Sequence, residues 1–172
     1  MSGKIFWFII AVVIAAGAVY YILSWRDVVE VPISPEDKRM PELILSDYTG
    51  KAVNLSEFRG KSRVINVWSS WSPYYKKELP DLAALQQEFG GKITVIAVDR
   101  RETLEIAKKY SDEYGVTSKI VLLLDPDDTL YQAINGFSMP ETLFVDREGF
   151  IRYHKRDMMG LEEMRRRVQE IL

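Results

Sequence analysis

The chain has 172 residues, 47% of them hydrophobic, which is enough for one ordinary domain with a real core plus an appendage. Its formal net charge of -2 leaves no broad basic field, so we do not expect nucleic acid as a partner. The chain contains no cysteine, which excludes disulfides, thiolate catalysis and thiolate-bound metals.

The first element in the chain is a candidate membrane anchor. Residues 5–25 begin at Ile5, end at Trp25 and contain no charged side chain. At roughly 1.5 Å per helical residue, this stretch matches the roughly 30 Å hydrocarbon layer of a bilayer. A cleaved signal peptide is the alternative, because residues 15–18 are small, but the apolar run continues beyond them. We predict that residues 1–25 form an uncleaved transmembrane helix.

The orientation of this anchor follows from the charges at its two ends. Lys4 and the terminal amine give a small positive bias before the helix, whereas Arg26 is offset by Asp27 after it. The amino terminus is therefore predicted to lie on the cytoplasmic side of the membrane, which the helix crosses once. Residues 26–40 contain two prolines and several charges without periodicity, and are predicted to be a tether.

Residues 41–172 are predicted to form the folded domain. It opens with a short strand over residues 42–46, a turn at Gly50 and a single turn of helix that Asn54 and Glu57 cap.

A central strand, a tight turn and a helix follow. Residues 64–68 are rich in valine and isoleucine, the chain breaks at Ser72 and Pro73, and helix-forming residues continue through residue 89. Pro80 is predicted to kink this helix. The first helical turn presents unpaired N–H groups at the positive end of the helix dipole, where many proteins place chemistry.

The rest of the chain alternates strands and helices. Residues 92–99 form a near-continuous apolar run, which predicts a parallel partner for the central strand. Asp125, Asp127 and Asp128 lack the spacing of a calcium loop and are predicted to serve as turn and cap residues. The other predicted elements are helices over 103–114, 129–134 and 161–172 and strands over 121–124, 143–146 and 150–154.

The segment around the central turn carries a motif. It resembles the active-site segment of the thioredoxin superfamily, most closely that of the membrane-anchored TlpA/ResA-like thiol–disulfide oxidoreductases, which read Asn-Phe-Trp-x-x-Trp-Cys-x-x-Cys-Lys-Lys-Glu-Phe/Met-Pro. The residues in register here are Asn66, Trp68, Trp71, Lys76, Lys77, Glu78 and Pro80. The resemblance implies an α/β protein with the thioredoxin-like three-layer α/β/α fold and a central mixed sheet, preceded by the transmembrane helix and placed outside the cytoplasmic membrane.

The same resemblance places the two redox cysteines of the family at Ser72 and Tyr75. Thiol–disulfide exchange needs a thiolate to attack and a second thiol to resolve the mixed disulfide, and neither residue supplies one. We therefore expect no thiol redox catalysis, no catalytic residue and no cofactor. The family's cis proline corresponds to Pro140, and the Met139–Pro140 bond is predicted to be cis.

Other chemistries find little support in the residues. Ser72 is predicted to be a helix N-cap, because serine is strongly preferred at that position. A serine nucleophile elbow is not expected, because its flanking glycines are missing. The single histidine, His154, is predicted to be a surface or edge residue of the last strand, and no metal site is expected. Glu78, which helps tune the cysteine pair in the family, is predicted to be solvated or salt-bridged, with a possible place in a binding groove.

The sequence thus predicts a membrane-tethered, non-catalytic module that binds an extracytoplasmic polypeptide as a chaperone or scaffold. Exposed tyrosines supply contact area at low entropic cost, and the backbone beside a cis proline can pair with an extended peptide. One alternative is a subunit of a thiol–disulfide oxidoreductase or cytochrome-maturation system whose thiols lie on a partner, and another is a structural anchor without a ligand. The predicted binding surface comprises Trp71, Ser72, Pro73, Tyr74, Tyr75, Met139 and Pro140.

Overall fold

The computed structural model of the protein describes Trp7 and residues 38–172. The predicted anchor over residues 5–25 and most of the predicted tether lie outside the described residues. Among the residues that are described, no helix combines the length and the apolar character needed to cross a membrane.

Residues 38–172 alternate strands and helices in the order that the sequence predicts, with one added strand. Two short 3-10 helices lie at Leu55–Phe58 and Gly90–Lys92. The other elements are β1 Ile44–Asp47, β2 Ala52–Asn54, β3 Ser62–Trp68, α1 Tyr75–Phe89, β4 Ile93–Arg100, α2 Leu104–Glu113, β5 Val121–Asp125, α3 Thr129–Ala133, β6 Glu141–Val145, β7 Ile151–Lys155 and α4 Leu161–Ile171.

The strands form one mixed sheet with the order β2-β1-β5-β4-β3-β6-β7. The β3–β4 pair is parallel, as predicted, and β5 continues the parallel set beside β4. Strands β6 and β7 run antiparallel to their neighbours on one side, and β1 and β2 do so on the other. The carboxyl ends of β3 and β4 therefore meet at one edge of the sheet, where Trp68 pairs in register with Asp99.

Alternate residues of β3 and β4 enter two separate hydrophobic clusters, one on each face of the sheet. The first cluster gathers the inner sides of α1, α2 and α4, with Leu79, Ala107 and Val168 among its members. The second is covered by the Leu55–Phe58 turn and by Leu130 of α3. Helices on both faces of a buried sheet give the predicted three-layer arrangement.

The boundary between tether and domain is earlier than the sequence suggests. Residues 38–40 pair with the start of β7: Arg39 bridges Phe150, and the Met40 amide donates to the Gly149 carbonyl at 2.9 Å. The Met40 side chain is buried in the second cluster. The sequence analysis assigned these three residues to the tether because a single short bridge, flanked by charged residues, produces no periodic pattern.

Strand β2 was not anticipated, because its three residues follow a turn and are too short to show alternation. The Leu55–Phe58 turn is capped as predicted: the Asn54 side chain accepts from the Ser56 amide at 2.9 Å, and Glu57 accepts from the Asn54 amide at 3.0 Å. Pro80 lies within α1, which is assigned as one helix from Tyr75 to Phe89.

Candidate functional site

The turn between β3 and α1 lies at the carboxyl edge of the central strands. Its residues differ sharply in exposure, because Trp71 and Tyr74 are 58% and 42% exposed whereas Ser72 is buried. Pro73 is exposed between them. The predicted binding surface is therefore only partly accessible, and aromatic rings make up its outer part.

Ser72 is not the N-cap of α1, which corrects the prediction. The cap position is Tyr74, whose carbonyl accepts the amides of Lys77 and Glu78 at 3.1 Å each. Ser72 belongs to the preceding turn, since its amide donates to the Ser69 carbonyl at 3.2 Å. Its buried Oγ has no hydrogen-bond partner among the described residues. Among the described residues, no hydrogen-bonded base activates this hydroxyl.

Tyr75, at the position of the family's second cysteine, is a core residue. Its side chain is only 5% exposed, and its ring lies 6.0 Å from that of Trp68. It also makes edge-on contacts with Tyr110 of α2 and with Tyr114, the C-cap of that helix, with ring centroids 5.2 and 5.5 Å away. Burial raises the pKa of the Tyr75 hydroxyl. Only one of the two tyrosines that were expected to be exposed is so. Tyr74 faces solvent, whereas Tyr75 packs between α1 and α2.

The segment before β6 comes to the same edge of the sheet. The Met139–Pro140 peptide bond is cis, as predicted, with Pro140 buried and Met139 half-buried. The next residue, Glu141, pairs with Val67 of β3, so the cis bond lies beside the end of β3 that leads into the turn. Phe137, which the sequence analysis did not single out, is 78% exposed in this segment. A large aromatic residue in a polar loop, directly after Asn135-Gly136, is the signal that could have found it.

Glu141 holds the segment before the cis proline in place. One carboxylate oxygen, Oε1, accepts the amides of Phe137 and Ser138 at 2.6 and 2.8 Å. The other, Oε2, lies 2.6 Å from Nε2 of His154 and 4.0 Å from Nε of Arg156. Burial alone would raise the pKa of Glu141, but the hydrogen bonds from His154, Phe137 and Ser138 hold it below its ordinary value. Glu141 is therefore a buried carboxylate whose charge is used to fix a loop.

His154 was predicted to be a surface or edge residue, and only the edge location is correct. It lies on β7, the last strand of the sheet. Its side chain is nevertheless almost completely buried because it pairs with Glu141. No pattern in the sequence predicts this contact, which joins β6 to β7.

Arg100 connects the turn to the segment before the cis proline. Its Nε donates to Oδ1 of Asp128 at 2.6 Å, and its guanidinium also pairs with the other oxygen of that carboxylate. The guanidinium carbon lies 3.6 Å from the centre of the Tyr131 ring and 6.0 Å from that of Trp71. Tyr131 in turn donates its hydroxyl to the Ser138 carbonyl at 2.9 Å. One buried cation thus supports both sides of the site.

The loops at this edge hold unusual backbone conformations. In residues 38–172, the non-glycine residues with positive φ are Arg101, Asp128 and Asn135, with φ of 58°, 63° and 52°. All three lie in connections next to Arg100, Tyr131 or Phe137. Such conformations cost about 1 kcal/mol each and persist where neighbouring contacts fix them, which happens preferentially at functional sites.

Glu78 is completely buried, so the prediction of a solvated or salt-bridged side chain is wrong. It lies on the inner face of α1, three residues after Tyr75 and four before Leu82. Its Oε1 accepts the Met159 amide at 3.1 Å, and its Oε2 accepts the Asn66 amide group at 3.4 Å. Burial raises the pKa of Glu78 to about 7, although both hydrogen bonds act in the opposite direction. Glu78 does not line the exposed surface.

Asp99 is a further buried carboxyl group, at the end of β4. Burial raises its pKa to about 9, and the neighbouring Glu102 adds to this effect, so Asp99 is protonated and uncharged at pH 7. Glu102 accepts the amide and hydroxyl of Ser70 at 2.8 and 2.6 Å, which attaches the loop after β4 to the turn after β3.

The fold and the cis proline beside an exposed strand-to-helix turn define a thioredoxin-like domain. Two solved structures agree in fold: a thiol:disulfide interchange protein of Chlorobium tepidum TLS, with a TM-score of 0.70, 19% identity and 80% and 98% of the two chains covered, and a DsbF homologue of Corynebacterium diphtheriae, with a TM-score of 0.70, 19% identity and 78% and 87% covered.

Within this class, the model of the AhpC/TSA family matches residues 37–154, and the chain belongs to that family. Its curated relatives include the thiol:disulfide interchange protein DsbE of Allochromatium vinosum, 31% identical over 153 residues, with 86% of this chain and 80% of the relative covered. The thiol–disulfide oxidoreductase ResA of Geobacillus kaustophilus is 26% identical over 132 residues, with 76% and 75% covered. The predicted kinship with ResA-type proteins is confirmed.

Proposed function

We propose that this protein is a membrane-anchored, extracytoplasmic member of its family that binds an extended polypeptide and performs no thiol chemistry. Its relatives are named for thiol–disulfide exchange, yet this chain has no cysteine. A serine and a tyrosine stand where the resemblance places the cysteines, and both are buried. The anchor and the location of the domain rest on the apolar residues 5–25 and on the charges that flank them.

The observation that carries the binding proposal is a group of exposed aromatic rings at one edge of the sheet. Trp71, Tyr74 and Phe137 are the exposed aromatic side chains of residues 38–172. They come from the two segments that meet at the end of β3, the turn before α1 and the segment before the cis proline. Exposed aromatic clusters of this kind mark interaction sites, because they offer large contact area for little loss of side-chain entropy.

The support beneath these rings favours a preformed surface. Glu141 fixes the amides of Phe137 and Ser138, Tyr131 fixes the Ser138 carbonyl, and Arg100 lies between the rings of Tyr131 and Trp71. A surface that is ordered before binding loses less conformational entropy when a peptide adds to it. Met139 is half-buried and precedes Pro140. An extended strand of a bound peptide can pair with its backbone.

The test is capture of an unfolded chain by the purified full-length protein. The probe is reduced and carboxymethylated α-lactalbumin carrying a fluorophore, which cannot fold and offers no free thiol. Joint replacement of Trp71 and Tyr74 by alanine is expected to weaken binding about ten-fold or more, because buried aromatic anchors commonly dominate such interfaces. Fluorescence anisotropy measures the change.

The matched control is Ile44→Ala, which removes another exposed apolar side chain from β1, and it is expected to leave binding unchanged. Equal binding by the wild type and the double variant would overturn the proposal. The absence of redox catalysis is tested separately: insulin reduction in the presence of dithiothreitol is expected to proceed at the rate of the reagent alone.

The proposed location is tested with intact spheroplasts. Protease added from outside is expected to remove the domain and leave the anchor, since the domain lies beyond the membrane in this orientation. Complete protection until the membrane is broken would place the domain on the cytoplasmic side and contradict the proposal.

A further inference from the structure

A small cavity lies beside His154. Its volume is about 120 Å³, and it is bounded by the segment that enters the domain, the end of α3 and strand β7. The backbone of the entering segment is fixed there, because the Ile151 amide donates to the Lys38 carbonyl at 2.9 Å. The cavity therefore has a defined wall on each side.

The polar groups around this cavity share one property, which is that all of them can donate hydrogen bonds. They are Lys38, Arg39, Asn135 and His154, and no Asp or Glu of the described residues lines the cavity. Arg39 is held in place by its contact with the Phe150 ring at 4.3 Å and its bond to the Glu148 carbonyl at 3.3 Å. Two cations and two further donors around a small space match an anion.

The imidazole of His154 is oriented for such a role. Its Nε2 is engaged by Glu141 at 2.6 Å, so the nitrogen left for a ligand is Nδ1. Side chains of Ile134 and Ile151 form part of the remaining wall. Apolar walls beside a few convergent donors suit a small organic molecule with an anionic end better than a fully hydrated inorganic ion.

We propose that this cavity binds a small carboxylate. The carboxylate accepts hydrogen bonds from Lys38, Arg39 and Nδ1 of His154, and a short alkyl group of the ligand contacts Ile134 and Ile151. The cavity volume of about 120 Å³ equals that of about four water molecules at about 30 Å³ each, so a ligand of the size of acetate or propionate fits.

Charged groups surround this pair of side chains. They are Arg156 after β7 and Lys38 and Arg39 from the entering segment. Hydrogen bonds hold the pKa of Glu141 below its ordinary value, so Glu141 stays a carboxylate and keeps Nε2 of His154 engaged. Nδ1 donates to the ligand when both ring nitrogens carry protons.

The experiment is a titration of the full-length, isotopically labelled protein with sodium propionate at constant ionic strength. Saturable shifts of the His154 ring and of the Phe137 and Ser138 amides are expected, with a dissociation constant on the order of 1 mM at pH 6. Lys38→Ala is expected to weaken binding about three- to ten-fold, whereas Lys119→Ala, an exposed lysine outside the cavity lining, leaves it unchanged.

Three outcomes would overturn the site. Non-saturable shifts would show that propionate acts only as a salt. Equal affinity of the Lys38→Ala variant would place the ligand elsewhere, and saturation by inorganic phosphate but not by propionate would refute the carboxylate class. The His154→Phe variant gives a further check that does not depend on Lys38, because it removes the Nδ1 donor and is expected to weaken binding about three-fold or more.

Discussion

Replacement of Tyr75 by alanine is expected to lower the free energy of unfolding by about 3–5 kcal/mol, as large-to-small changes of buried aromatic residues commonly do. The Tyr75 ring contacts Trp68 of β3, Tyr110 of α2 and Tyr114 at the end of α2, and its removal leaves a cavity between three elements. Edge-on aromatic pairs add about 0.5–1.5 kcal/mol beyond the burial of their area. The residue at the second cysteine position is thus expected to stabilise the fold.

The measurement is urea denaturation of the full-length protein, followed by the fluorescence of the tryptophans next to this contact. Tyr74→Ala is the matched control, since it removes the same side chain from the adjacent, exposed position, and a loss below about 0.5 kcal/mol is expected. Similar losses for both variants would mean that the two tyrosines do not differ in role. A small loss for Tyr75→Ala alone would contradict its place in the core.

The contrast between these adjacent tyrosines shows what the sequence could and could not predict. The order of strands and helices followed from periodicity and from the family motif, because these patterns are local. Whether Tyr74 or Tyr75 faces the core depends on where α1 begins, and its N-cap, Tyr74, lies two residues after the expected cap at Ser72. A shift of that size rotates every side chain of the turn.

The buried polar contacts were beyond sequence reasoning for a different reason. Glu78 binds the amide of Met159, and Glu141 binds His154, so each carboxyl group is satisfied by a residue distant in the chain. A charged residue in an amphipathic pattern normally faces solvent, and only tertiary structure reveals its partner.

A pH dependence of stability follows from the buried carboxyl groups. A carboxyl group whose pKa is higher in the folded state keeps a proton that the unfolded chain has released. For Asp99, with a pKa of about 9 in the folded state, stability is expected to decline as the pH rises from about 4 to about 9. Glu78 acts in the same direction between about pH 4.5 and about pH 7. The domain is therefore expected to be more stable at pH 5 than at pH 8.5.

Replacement of Asp99 by asparagine is expected to remove most of this decline. Asparagine has nearly the shape of the protonated carboxyl group and does not ionise, so the free energy of unfolding should match that of the wild type at pH 5. At pH 8.5 the free energy of unfolding of the variant should exceed that of the wild type by on the order of 3 kcal/mol. At that pH the folded wild type must either keep a proton on Asp99 that the unfolded chain releases or hold a buried charge beside Glu102. The slope due to Glu78 remains in both proteins.

The measurement is urea denaturation of the full-length wild type and variant at the two pH values. The matched control is Asp127→Asn, which changes an exposed aspartate of the turn before α3 and is expected to follow the wild type at both. If Asp99→Asn is less stable than the wild type by the same amount at both pH values, Asp99 is ionised in the folded state across this range and has a hydrogen-bonding role instead. A gain in stability of Asp99→Asn that is confined to pH 8.5 shows that burial keeps the carboxyl group of Asp99 neutral.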